Sequence, residues 1–471
     1  MKGKAIKTLD SLSDAYDVVV IGSGLGGMTA ANRLASFGRR VLLLEQHFML
    51  GGLAAYFKRA GHIFDVSLHG FPFGMVKTCR KYWSKEIADR IVQLKRVVFD
   101  NPQFTLETTF DTADFTAKLV DHFHIAPETV AEFFSTLRAM NFYDDQSTTT
   151  RQLFERFFPG RSDVVRFLME PITYANGSTL DEPAITYGIV FSNFMNKGVF
   201  TFKGGTDLFI NMLTAELEKN GVDIAVRAPV EKILLEDGRA AGVTVGGRTI
   251  KAKAVLSNAS LPRTVLEMIG ADKVPEELRN LTQQTRISNS STQVYIGIKE
   301  GEKIPDIGDL LFTSTYPEFD SAALSALPPT SRTYSVYYPS TRPGHDRYTV
   351  VASMNAKYAD WANLSKEEYL EQKAHLADDA VAHLTKYIPG VEKIIDHLEV
   401  ATPLTFRRYT GHLGGASFGT KFEGLKVSEG LPKFVPGVYH TGSCAIIMSG
   451  WLGAANYGII VANQIEEYLG D

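Results

Sequence analysis

Short, unbroken apolar runs recur along the chain, and their length suits strands rather than helices. Val18-Val19-Val20-Ile21 and Val41-Leu42-Leu43-Leu44 are the first two. Between them a glycine-rich turn leads into Met28-Thr29-Ala30-Ala31-Asn32-Arg33-Leu34-Ala35. Runs of this kind predict buried strands, and the segment between them predicts the crossover helix of a parallel βαβ unit. Farther on, Leu208, Phe209, Met212, Leu213 and Leu217 recur at helical spacing and stop at Asn220-Gly221. Strands are predicted again at 230–233, around Gly242-Val243 and at 254–259.

Two long segments have a different texture. Residues 112–140 and 150–169 show helical spacing rich in phenylalanine: Phe123, Phe133, Phe134, Phe142, Phe154, Phe157, Phe158 and Phe167. Stripes of this kind are more often packed core than pocket lining, so helix packing is the preferred reading. Residues 294–298, 334–338 and 348–352 predict a further sheet, the floor of a substrate cavity, and 365–387 predict one long helix closed by Pro389-Gly390. The apolar stretch 185–195 reads as a buried helix, with the lining of a lipid entrance or a peripheral membrane contact as the alternative.

Composition narrows the class. A chain of 471 residues with 44% hydrophobic and 22% charged residues has the material for a large core. No apolar run approaches the ~20 residues that span a bilayer. Forty-nine basic against fifty-three acidic residues leave a net charge of -4, which offers nucleic acid no cationic field. Cys79 and Cys444 are too few for a disulfide framework and lack zinc-type spacing. Lys2, Lys4 and Lys7 precede no apolar stretch, so no secretory signal is read and the expected location is cytoplasmic. A metal site is not expected: His122 and His124 diverge on a helix, and there is no HExxH.

The first turn carries the chemistry. Gly22-Ser23-Gly24-Leu25-Gly26-Gly27 follows a strand and opens a helix, and the second strand ends on Glu45. Gly22 permits the tight turn, Gly24 leaves room for a pyrophosphate, and Gly27 lets helix and strand approach. The helix N-terminus faces the phosphates with unpaired N–H groups, while Glu45 is placed to accept hydrogen bonds from ribose hydroxyls. These features predict a dinucleotide site, for either FAD or NAD.

Glu45 is followed by Gly51-Gly52 and then by Phe64-Asp65-Val66-Ser67-Leu68-His69. In that order these blocks resemble the FAD-dependent amine-oxidase-like superfamily, in its branch of phytoene desaturases, carotenoid isomerases and retinol saturases. That branch carries GxGxGG, E-x(5-6)-GG and FDxGxH; here Ser67 replaces the last glycine. Phe202-Lys203-Gly204-Gly205, the strand ending at Asn258-Ala259, and the closing stretches 436–444 and 449–458 are similar to later family segments.

The resemblance implies FAD held by Gly22, Ser23, Gly24, Leu25, Gly26, Gly27, Glu45, Gly51, Gly52, Leu53, Val230, Gly442, Ser443, Leu452, Gly453 and Ala454. It implies an α/β fold in which a discontinuous Rossmann-type FAD domain (1–74, 200–260, 402–471) is interleaved with an α+β substrate domain (75–199, 261–401). His69 is the expected residue beside the ring, with His440 and Cys444 ranked below it. Arg407, Tyr409 and His412 are the expected substrate contacts, suited to a carboxylate. The implied activity is desaturation, saturation or isomerisation at carbon-carbon double bonds of a long apolar lipid. No residue separates these three or names the redox partner. The alternatives are a flavin amine or amino-acid oxidase and a non-catalytic prenyl-lipid carrier of the GDP-dissociation-inhibitor type.

Overall fold

Apolar side chains on both faces force the two opening strands into the interior of a sheet. The structure, a computed structural model, describes residues 6–67, 69–141, 144, 146–342, 344–444, 447–448 and 450–470. Ala15–Ile21 pairs in parallel with Val41–Leu44 on one side and with Arg248–Ser257 on the other. Asp223–Ala225 extends the sheet beyond Val41–Leu44. Arg248–Ser257 forks: its first part pairs antiparallel with Arg239–Val245, and its last residues pair in parallel with Val438–His440. Val230–Glu236 completes the antiparallel flank. Ile21, Leu44, Ala225, Ser257 and His440 therefore end at one edge, the carboxyl edge where open α/β sheets bind ligands.

A second sheet runs in the order Ile395–Ala401, Ser290–Ile298, Thr349–Ala356, Ser331–Tyr337, Leu310–Ser314, Val97–Asp100, Thr105–Thr108. Its strands are antiparallel except where Leu310–Ser314 meets Val97–Asp100. All three strands expected for this region are present. The long helix runs over Lys366–Leu384 and is started by Ser365, whose hydroxyl accepts from the Glu368 N–H while Glu368 caps Ser365 in return. Together the two sheets realise the α/β fold with a discontinuous Rossmann-type sheet.

The phenylalanine-rich segments are helical but interrupted. Thr112–Ala117 passes into a π-turn at Lys118–His122, and the helix restarts at Pro127–Ala139 with proline in its first turn. Residues 150–169 split into Thr150–Phe157 and Ser162–Asn176 because Pro159 lacks an N–H and Gly160 takes a φ of +67°. Phe123, Phe133, Phe134, Phe154, Phe157, Phe158 and Phe167 are buried against one another. Phe115 stacks on Phe167 at 4.3 Å between centroids, and Phe133 meets Phe158 at 4.9 Å. They are packing core, as preferred above; Phe142 lies outside the described residues. Residues 185–195 fall in the helix Ala184–Met195. It buries Tyr187 and Phe191 on one side and turns Ile189, Val190 and Phe194 toward a cavity.

Candidate cofactor and active site

A cavity of about 670 Å³ runs along the carboxyl edge of the first sheet to the face of the second. Its middle is built from glycine. The turn at Gly22–Gly26 sits at the N-terminus of the helix Leu25–Ser36, and the helix Gly450–Gly470 begins beside it. The two helices approach closely: a Cβ on Gly458 would lie 2.2 Å from the Gly26 carbonyl oxygen. Two positive helix ends thus face one stretch of cavity, the arrangement that stabilises phosphate. Gly51 folds over the turn, its N–H donating to the Ser23 carbonyl oxygen at 3.0 Å.

Glu45 closes one end. Ser23 donates to its Oε2 through both N and Oγ, at 2.8 and 2.6 Å, and the His47 N–H donates to Oε1 at 2.8 Å. The carboxylate is therefore fixed in place and keeps acceptor capacity for a ribose. Of the expected cofactor residues, Gly22, Ser23, Gly24, Leu25, Gly26, Glu45, Gly51, Gly52, Leu53, Val230, Gly442, Ser443, Leu452, Gly453 and Ala454 all line this cavity. Gly27 does not; a Cβ there would meet the Gly22 carbonyl oxygen at 2.1 Å, which fits the packing task expected of it.

Asn258, at the end of the strand Arg248–Ser257, escaped the sequence reading. Its amide lies among three glycines, so that a Cβ on Gly24, Gly26 or Gly442 would come within 2.7, 2.8 or 2.6 Å of it, and it donates to the Gly22 carbonyl oxygen at 3.3 Å. Gly24 thus makes room for Asn258 as well as for a ligand. The signal was present: Asn258 is the first amide side chain after the apolar run. Asp65 was read only as a letter of the FDxGxH-like block, and its partner Arg342 went unnoticed. They form a buried ion pair at 3.2 Å, and Asp65 holds Thr206 through its N–H and hydroxyl. A Cβ on Gly205 would strike Arg342 at 2.4 Å, so the Lys203-Gly204-Gly205 turn exists to admit that guanidinium.

The far end is a sandwich of unlike walls. Met140, Ile189, Val190 and Phe194 form the apolar side; Ser291, Gln293, Ser353 and Asn355 of the second sheet form the floor. His69 lies on this wall, its Nδ1 hydrogen-bonded to Ser335 Oγ at 2.7 Å and its Nε2 to Ser353 Oγ at 3.1 Å. Burial pushes its pKa down to about 4, so the imidazole is neutral near pH 7.

The expected substrate trio separates. Arg407 is exposed, off the cavity wall, with its guanidinium over the Tyr358 ring and bonded to that hydroxyl. The helix Pro403–Thr410 turns it outward while Phe406 faces inward. Tyr409 lines the cavity at the Glu45 end: its carbonyl oxygen accepts from Gln46 at 3.5 Å and its ring meets His47 edge-on at 5.5 Å. His412 is on the wall, its Nδ1 donating to the Ala416 carbonyl oxygen at 2.9 Å, and burial lowers its pKa. A carboxylate-binding cluster does not form. His440 sits behind the wall, bonded to Ser428 and the Ala259 carbonyl oxygen, and burial pushes the Cys444 thiol up to about 12. Both are packing residues. No group of metal ligands occurs among the described residues.

A family model described as flavin containing amine oxidoreductase matches residues 25–375. The chain is 26% identical to a chloroplastic prolycopene isomerase of an Oncidium hybrid cultivar, over 97% of this chain and 85% of that protein. It is 24% identical to a 1-hydroxycarotenoid 3,4-desaturase of Flavobacterium, covering 90% and 93%. It is 23% identical to an all-trans-retinol 13,14-reductase of Danio rerio, covering 92% and 82%. Among solved structures, an oxidoreductase from Methanosarcina mazei (16% identity, TM-score 0.67, 95% and 99% covered) and a putrescine oxidase (15%, 0.66, 96% and 99%) share the fold.

Proposed function

From the premise that this chain belongs to the flavin-containing amine oxidoreductases and is an FAD-dependent enzyme, we propose that it acts on carbon-carbon double bonds of a long apolar lipid. Carotenoids, retinoids and unsaturated fatty acids are the candidate substrates. The observation that carries this reading is the pairing of a flavin-type cradle with a cavity end walled by Met140, Ile189, Val190 and Phe194. Glu45 is the only carboxylate among the described residues on the cavity wall, and it lies at the opposite end. An amine substrate has no counter-charge beside the floor.

Bound FAD supplies two-electron exchange with carbon. The reading gives the chain the remaining tasks. The N–H groups of both helix N-termini would hold the pyrophosphate, Asn258 would lock the three glycine segments around it, and Glu45 would accept the ribose hydroxyls. In this division, 1–74, 200–260 and 402–471 hold the cofactor, and 75–199 with 261–401 hold the lipid. The apolar helix walls align the chain and keep water from the reacting carbon. His69, neutral and held by two hydroxyls, positions the lipid and can pass a proton between its two ring nitrogens. The lipid enters where Asn141 and Asn193, both exposed, join the wall, and this rim is the place for any contact with a membrane surface. No helix among the described residues is long and apolar enough to cross one.

Incubation of the oxidised and the reduced holoenzyme with a carotenoid, a retinoid, an unsaturated fatty acid and a primary amine tests this, with products separated by chromatography. Loss, gain or isomerisation of a double bond in a polyene is expected. Turnover of the amine alone would refute it.

A further inference from the structure

The face that the second sheet turns to the cavity changes character along two neighbouring strands, Ser290–Ile298 and Thr349–Ala356. At Tyr295 and Val351 it is apolar, packed with Phe64, Tyr337 and Phe406. Farther along it turns polar: Gln293 stands opposite Ser353, and Ser291 opposite Asn355. Alternation puts all four side chains on one face, where they form a square with sides of about 5 and 7 Å on the cavity floor. Apolar side chains would fill these positions with no call for hydrogen bonds; hydroxyls and amides there need partners.

The protein supplies these groups with part of what they need. Asn355, 7% exposed, donates through Nδ2 to the Thr173 carbonyl oxygen at 2.7 Å, which fixes the amide and leaves its Oδ1 without a partner among the described residues. Gln293 Oε1 accepts from the Tyr295 hydroxyl, and Gln293 Nε2 has a single long contact, 3.5 Å to His69 Nε2, for its two hydrogens. Ser291 and Ser417 share one hydrogen bond at 3.0 Å, so one hydroxyl hydrogen is left over. Ser353 lies against His69 at 3.1 Å. The square therefore presents unused donors beside an unused acceptor. It carries no charge: burial keeps His69 neutral near pH 7, and Arg263 of the cavity wall is bonded to Gln46 at the Glu45 end.

We propose that the square formed by Ser291, Gln293, Ser353 and Asn355 seats a hydroxyl group, and that the lipid taken by this site is a polyene alcohol rather than a pure hydrocarbon. The inference rests on the reading of the cavity as one for an unsaturated lipid, and narrows it. A hydrocarbon laid on the floor would strip water from four polar side chains and return no hydrogen bond. A carbonyl oxygen accepts from the Gln293 amide or the spare serine hydrogen but leaves Asn355 Oδ1 unpaired. A hydroxyl does both tasks, accepting from a donor and donating to Asn355 Oδ1. The carbon chain then lies under Met140, Ile189, Val190 and Phe194, which offer it no polar group. Asn355 and Gln293 are thus the residues that set specificity, since a site built to pair a hydroxyl rejects the analogue that lacks it.

The test is a matched series on one conjugated skeleton: the hydrocarbon, its alcohol and the corresponding carbonyl compound. Each is titrated into the oxidised FAD holoenzyme by rapid mixing, and binding is followed through the polyene absorbance before any conversion. The alcohol is expected to bind about 10- to 100-fold more tightly than the hydrocarbon, with the carbonyl compound between them. In Asn355→Leu and in Gln293→Leu the alcohol should lose about tenfold or more, while the hydrocarbon binds no more weakly than before. Equal affinity of alcohol and hydrocarbon for the unaltered enzyme would overturn the inference, and this comparison decides if the variants fail to fold. An advantage that survives both substitutions, with the flavin spectrum shifted instead, would give the square to the cofactor and equally overturn it. Turnover of a hydrocarbon that binds as well as its alcohol would leave the double-bond function standing without the alcohol site. An alcohol that binds as expected, yet is recovered unchanged from both redox forms, would refute that function and leave the alcohol site in place.

Discussion

At the scale of single residues, the site depends on two kinds of position: glycines, where a side chain has nowhere to go, and polar groups that fix those glycines in place. Gly24→Val is expected to abolish FAD loading, because its Cβ alone falls 2.7 Å from the Asn258 amide before the branched methyls are placed. The flavin absorbance of the purified variant measures this. Glu45→Ala removes the proposed ribose acceptor and also strands the Ser23 and His47 N–H groups, so FAD should bind about 10- to 100-fold more weakly in a titration of apoprotein. The glycine turn and Glu45 were legible because their chemistry follows from spacing along a strand–turn–helix unit, whereas His69 was expected only from the resemblance of its block to the family motif. The roles of Asn258 and Asp65, both lying in blocks that were read, and the presence of Arg342 were not legible, since each acts through a partner far away in sequence. The cation expected at Arg407 failed for the complementary reason: local sequence does not say which side of a short helix faces inward.

Among the elements, the pairing of the helices Leu25–Ser36 and Gly450–Gly470 matters most, because it sets two positive ends on one ligand site. Gly458→Val should force these helices apart, since even a Cβ would lie 2.2 Å from the Gly26 carbonyl oxygen. A loss of about 2 kcal/mol or more in denaturant stability, together with weaker FAD retention, is expected. Strands and the capped helix at Lys366–Leu384 were readable from apolar runs and the Ser365–Glu368 box. The interruptions at 118–126 and 158–161 were not, because periodicity continues across them while backbone geometry does not. The floor of the cavity lies between these cases: its strands were apparent, but their register, which brings Gln293 opposite Ser353 and Ser353 opposite Thr333, is a property of the assembled sheet.

For the whole molecule, buried titratable groups set how stability depends on pH. His69 and His440 are each pushed down to about 4 by burial, from an unfolded value of 6.5. The unfolded chain therefore binds more protons between these values, and the stability present above pH 6.5 is lost as pH falls toward 4. For the enclosed His440 the full displacement corresponds to about 3 kcal/mol. Glu170 acts oppositely: raised from 4.5 to about 7, it holds a proton that the unfolded chain has released, so it lowers stability as pH rises through that range. Chemical denaturation between pH 4 and 7 should show net stability rising with pH, and Glu170→Gln should steepen that rise. A flat profile that this substitution leaves unchanged would contradict the assignment.

The central claim, a flavin working on an unsaturated hydrocarbon chain, is tested most directly by anaerobic mixing of the FAD-loaded enzyme, oxidised and reduced, with a polyene while the flavin spectrum and the polyene product are followed together. A polyene altered at a double bond, with any change in flavin oxidation state matching the electrons gained or lost, is the expected result. A polyene recovered unchanged from both forms, while a primary amine bleaches the flavin, would contradict it.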